Sequence, residues 1–170
     1  MGRPDPDHNR IDRASRLANA PANAVYHALT YAADLAAWLP PAGMTGKIHA
    51  FEPVPGGRIS LTLTYDSPEA GTPGKTSDDT DTVEGRFVDL VENERIVWDI
   101  DFVSDDPAFA GTMRMTWTFT PHAEGTMVTV AAENVPRGIS PADHAAGLAS
   151  SLENLAAHVQ GSRGAGHGGR

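Results

Sequence analysis

At 170 residues and 18.0 kDa the chain is sized for one domain, and its 22 acidic against 13 basic side chains give a net charge of −9. That acidic balance speaks against a protein that tracks the phosphate backbone of a nucleic acid. Cysteine is absent, which excludes disulfide frameworks, thiolate nucleophiles, iron–sulfur clusters and cysteine-based zinc sites.

Residues 1–9 are polar and broken by prolines, with no apolar stretch of the secretory kind, and no run approaches the roughly 18 apolar residues of a membrane span. A cytoplasmic protein with a disordered N-terminal segment 1–9 is expected. Ile11 to Ala18 alternates weakly and reads as a first strand. A helix should open near Pro21, with Val25 and Leu29 on one face. A second, shorter helix over 33–39 is stopped by Pro40-Pro41.

The middle of the chain reads as sheet. Residues 45–51 are only sparsely apolar, and Pro53 to Gly57 marks a turn. Arg58 to Tyr65 alternates cleanly, with Ile59, Leu61, Leu63 and Tyr65 on one face. The segment 66–81 is a long loop of Gly, Pro, Ser, Thr and Asp, either lid-like or mobile. Strands are predicted over 82–90 and 96–103, joined by a turn at Glu92-Asn93-Glu94, with Trp98, Ile100 and Phe102 facing one way and Asp99 and Asp101 the other. Residues 113–119 place Met113, Met115, Trp117 and Phe119 on one face, and 126–134 match it with Val128, Val130 and Ala132.

The last element is a helix. Ser140-Pro141-Ala142-Asp143 supplies a cap, a proline at the first position and an acid close behind. Leu148, Leu152, Leu155 and Val159 then form one apolar stripe. Residues 161–170 hold five glycines and are expected to be a disordered tail, leaving 10–160 as the domain. The formal G-x-G-x-x-G at Gly164, Gly166 and Gly169 follows no strand, so it is not read as a phosphate-binding loop.

The resulting order is strand, two short helices, six strands and a long helix. The pieces Ala20-Pro21 to Leu29, Trp38 in the short helix, Pro55-Gly56-Gly57-Arg58, Gly85-Arg86-Phe87-Val88, Arg95-Ile96-Val97-Trp98, Gly125-Thr126 and the helix after Val135 to Ile139 resemble one superfamily in order and spacing. It is the START-like, birch-pollen-allergen-like helix-grip superfamily, and the branch is the one named for the activator of the heat-shock protein 90 ATPase. The resemblance implies an α+β fold: a curved antiparallel sheet around the C-terminal helix, with a cavity between them for a small apolar molecule. It does not imply one reaction, because the superfamily spans carriers, receptors, cyclases and chaperone cofactors.

Site chemistry is therefore read from the residues. Seven histidines are scattered without the spacing of a metal site, so neither a metal nor a cofactor is expected. No nucleophile elbow or Ser/His/Asp order occurs, and no catalytic residue is assigned. His144 shares the helix stripe with Leu148. It reads either as a polar group in the cavity or as a first-turn residue at its mouth bonded to water, and the lack of an orienting acid favours the second. Asp78-Asp79 and Asp105-Asp106 read as solvated turn acids. Arg86, Asp101 and Arg114 are expected to form a cross-strand ladder on the outer face.

Trp38, Tyr65, Trp98, Met113, Met115, Trp117, His144, Leu148 and Leu152 are the expected ligand-binding set, large rings and adaptable methionines suiting a flat or greasy molecule. The expected function is binding of a small hydrophobic or aromatic molecule rather than catalysis. The alternatives are a chaperone-activating protein–protein module in the stress response, or a cyclase-, aromatase- or dehydratase-like enzyme. Residues 66–106 hold 13 acids and 3 bases, so the charge is concentrated there and a charged partner should meet that side.

Overall fold

The computed structural model describes residues 10–40, 44–65, 80–104 and 106–168. β1 (Ile11–Ala18) leads into α1 (Ala22–Thr30) and α2 (Ala32–Trp38). Six strands follow: β2 (Met44–Phe51), β3 (Arg58–Tyr65), β4 (Thr80–Val91), β5 (Arg95–Phe102), β6 (Met113–His122) and β7 (Gly125–Glu133). α3 (Pro141–Gly168) closes the chain. All seven strands form one antiparallel sheet in the order β1-β7-β6-β5-β4-β3-β2. Only β1 is displaced from its sequence neighbours, because α1 and α2 carry the chain from one edge of the sheet to the other.

Period-2 alternation determines which face each strand buries. Ile59 and Leu61 of β3, Trp98 and Ile100 of β5, Met113 and Trp117 of β6, and Val128, Val130 and Ala132 of β7 are all buried. Asn93 has φ 63° in the turn between β4 and β5, a left-handed position that Asn tolerates better than most residues. Ser140 caps α3 as its sequence suggests, its Oγ accepting from the Asp143 amide at 3.0 Å. Leu148, Leu152, Leu155 and Val159 are all buried beneath that helix.

The outer-face ladder differs from its expected register. Arg86 stands opposite Asp99, not Asp101, and Arg114 also pairs with Asp99, donating to its two carboxylate oxygens at 2.8 and 3.0 Å. Two steps move Arg86: the turn pairs Val91 with Arg95, and an extra residue in β4 between Phe87 and Asp89 shifts the pairs beyond it by one more. β6 meets β5 in its own unbroken register, with Arg114 opposite Asp99. Asp101 faces Glu84 instead and accepts from the Thr112 hydroxyl. Exposed pairs of this kind contribute about 0.2–1 kcal/mol.

Two further boundaries differ. β4 begins at Thr80, inside the predicted loop, while residues 66–79, with Asp78-Asp79, lie outside the described residues. The helix backbone continues to Gly168, into the segment expected to be a tail, since extending an existing helix avoids the cost of nucleating one. Asp106 accepts from the Ala108 amide at the start of a short 3₁₀ turn, Pro107–Phe109, as a capping acid would.

Candidate functional site, an apolar cavity beneath the long helix

α3 lies against β1 at one edge of the sheet and against α1 and α2, but stands further from the middle strands. Polar contacts hold it there along its length. His144 Nδ1 lies 2.7 Å from Asp12 on β1, Asn154 Nδ2 donates to the Pro40 carbonyl at 3.1 Å, and His158 Nε2 lies 3.1 Å from Asp34 on α2. Between the suspended helix and the sheet is a cavity of about 310 Å³. Binding pockets for small molecules begin at about 300 Å³, so this one suits a compact occupant.

The wall is almost wholly apolar. The sheet contributes Ile59, Leu61 and Leu63 from β3, Val83 from β4, Trp98, Ile100 and Phe102 from β5, and Met113, Met115 and Trp117 from β6. Leu35 and Leu39 close one side, and His144, Gly147, Leu148 and Ser151 of α3 form the roof. Of the expected ligand-binding set, Trp98, Met113, Met115, Trp117, His144 and Leu148 therefore surround one space.

Trp38 and Leu152 do not line it. Leu152 is 2% exposed and belongs to the solid core further along α3. Trp38 is 1% exposed; its indole N–H donates to the Ala28 carbonyl at 2.8 Å, and its ring packs edge-on against Trp117 at 5.7 Å. It backs the wall instead of forming it. The side chain of Tyr65 lies outside the described residues.

Trp38 is one end of a file of rings. Phe51, Phe87, Trp98, Trp117 and Trp38 follow one another edge to face, with successive centroids 5.4, 5.9, 5.6 and 5.7 Å apart. Such contacts add about 0.5–1.5 kcal/mol per pair beyond burial. The file therefore ties the two indoles that line the cavity, Trp98 and Trp117, to the rings behind the wall. The Trp98 N–H points to the Met115 sulfur at 3.4 Å, whereas Trp117 Nε1 is buried and has no hydrogen-bond partner among the described residues.

Sequence reasoning missed the acid behind His144. Asp12 comes from β1, and its carboxylate also accepts from Arg10, with Nη2 at 2.7 Å and Nε at 3.1 Å. Arg10 in turn donates to the Ile139 carbonyl just before α3. Burial acts to raise the Asp12 pKa, but the hydrogen bonds and charges of Arg10 and His144 outweigh it and hold the carboxyl below its ordinary value. The only sequence signal was an acid at the second position of an edge strand, which is commonplace. Among the described residues no group of three or more His, Asp or Glu side chains is placed to hold a metal ion.

A curved antiparallel sheet, a helix suspended over it and an apolar space between them define a helix-grip domain of the α+β class. A family model described as "Activator of Hsp90 ATPase homolog 1-like protein" matches residues 19–160. The chain belongs to that family.

A solved structure of a protein from Chromobacterium violaceum is similar at 30% identity with a TM-score of 0.77, covering 88% of this chain and 96% of the other. An AHSA1-like protein from Aeromonas hydrophila shares 17% identity over 90% of this chain and 94% of its own, with a TM-score of 0.67. A protein from Arthrobacter aurescens reaches a TM-score of 0.74 at 13% identity, over 93% of this chain and 90% of the other. The last two likenesses speak for the fold alone. No curated protein matches the chain by sequence.

Proposed function

We propose that this domain binds a small hydrophobic or aromatic molecule between its sheet and α3. The observation that carries the reading is the apolar cavity of about 310 Å³, roofed by a helix that polar contacts hold clear of the sheet. Burial of apolar surface would supply the affinity, at about 25 cal/mol per Å² before the costs of association.

Gly147 offers a clean test. A Cβ built there meets nothing within 4 Å, and the residue lines the cavity roof. Gly147→Leu should therefore take up cavity space from a Cβ that meets no neighbour, and it replaces a poor helix former, a change worth up to about 1 kcal/mol in favour of the helix. Titrated with the neutral fluorophore prodan, the wild type should show saturable binding. Gly147→Leu should weaken it at least tenfold at an unchanged or raised melting temperature. Trp98→Ala should weaken it severalfold through lost ring contact. Prodan affinity unaltered by Gly147→Leu would remove the cavity as the site.

The comparisons favour a second reading more directly than the first: a protein–protein module that stimulates a chaperone ATPase, since the matched family is described by that activity. Here the surface would act, and the acid-rich segment 66–106 would steer a basic partner. The purified chain should then raise ATP turnover by its host's heat-shock protein 90, with an effect that falls as salt rises and survives Gly147→Leu. ATP turnover unchanged at saturating chain excludes this reading.

A further inference from the structure

The cavity wall has few polar atoms, and most are already engaged. Ser151 Oγ donates to the Leu39 carbonyl, the Trp98 N–H is directed at Met115, and Trp117 Nε1 is out of reach beneath the surface. His144 differs from these. Its Nδ1 faces Asp12, which does not line the cavity, while the ring itself does. Its Nε2 makes no hydrogen bond among the described residues.

The identity of the partner decides what Nε2 can do. An ionised carboxylate only accepts, so Asp12 places a proton on Nδ1, and in the neutral ring Nε2 then keeps its lone pair. Arg10 already pairs with Asp12, so the carboxylate's charge is balanced without a proton on the imidazole Nε2. An anionic ligand head would have to remain unpaired in an apolar space or force a proton onto the ring. A hydroxyl needs neither, because it donates to the lone pair as it stands.

We propose that the cavity takes a neutral apolar molecule carrying a hydroxyl group, a phenol or comparable alcohol, whose O–H donates to His144 Nε2. Asp12 acts as the positioning residue that sets the tautomer, with Arg10 holding Asp12. The proposal rests on the small-molecule reading above and adds the chemistry of the occupant.

Calorimetric titration near pH 8, where an ordinary imidazole is neutral, with naphthalene, 2-naphthol and 2-naphthoate tests it on matched shapes. One neutral hydrogen bond predicts that 2-naphthol binds about three- to tenfold more tightly than naphthalene, with 2-naphthoate the weakest of the three. His144→Phe should reduce 2-naphthol to the level of naphthalene and leave naphthalene within about twofold. His144→Gln retains an acceptor and should keep part of the preference. A 2-naphthol affinity no better than naphthalene's, a preference that survives His144→Phe, or tighter binding of 2-naphthoate would each overturn the anchor while leaving the cavity reading in place. Failure of all three compounds to bind would overturn both. If His144→Phe does not fold, the wild-type ranking of the three compounds decides alone.

Discussion

Trp117→Ala is expected to destabilise the domain by about 3–5 kcal/mol, the range for deleting a large buried aromatic side chain. Trp117 is 1% exposed and touches both Trp38 and Trp98 in the ring file, so its removal takes away burial and two edge-to-face contacts together. It also merges the space it filled with the existing cavity, and α3 cannot follow inward while Asp12, Pro40 and Asp34 hold it. A chemical denaturation curve should show the loss as a lower midpoint at unchanged slope, and thermal unfolding should fall by about 10 °C or more. Trp117→Phe should cost much less. It keeps a ring and removes a buried N–H that has no partner among the described residues, an offsetting gain of about 1–3 kcal/mol. A loss under 1 kcal/mol for Trp117→Ala would show that the file does not support the cavity wall.

Removing the Asp12 carboxylate should cost about 2–3 kcal/mol, because Arg10 is then left with its charge largely buried and His144 with no acceptor at Nδ1. Side-chain exposures of 13% for both Arg10 and Asp12 and 11% for His144 place this group well inside the range where an unpaired charge is penalised. Asp12→Ala should show that loss in urea. Asp12→Asn keeps the shape and an acceptor and should lose less.

The same carboxylate makes a pH prediction. Its pKa in the folded protein lies below the ordinary value of 3.8, so the stabilisation is complete above about pH 4 to 5 and disappears as the pH falls through the folded-state value. Wild-type stability should therefore fall more steeply on acidification below about pH 4 than that of Asp12→Asn, which has no such group to protonate. Parallel acid titrations of the two proteins would overturn the assignment.

Legibility differed from one kind of feature to another. β1 and β3 have the same limits in the structure as in the sequence reading; β3 alternates cleanly after a Pro/Gly turn, and β1, though its alternation is weak, ends just before the proline that opens the first helix. The inward set on β5 and β6 was legible for the same reason. The Arg86 register was not, since the turn pairs Val91 with Arg95 and one inserted residue in β4 shifts the pairing again, and no local pattern announces either. Trp38 was assigned to the cavity because it is large and apolar on a short helix. Only packing shows that its N–H is already taken by Ala28 and its ring lies behind Trp117. His144 was read without an orienting acid because Asp12 is 132 residues away.

The acidic balance noted at the outset bears on the surface, and the cavity walls carry none of it. What the sequence determined alone was the order of elements, the face each strand buries and the apolar stripe of α3, since period-2 and period-3.6 patterns are local consequences of backbone geometry. The tertiary structure decided the rest: how far the helix stands from the sheet, which rings line the space and which support it, and that a carboxylate on β1 sets the proton on a histidine of α3. Those depend on side-chain volumes packed across elements and on polar partners brought together from opposite ends of the chain.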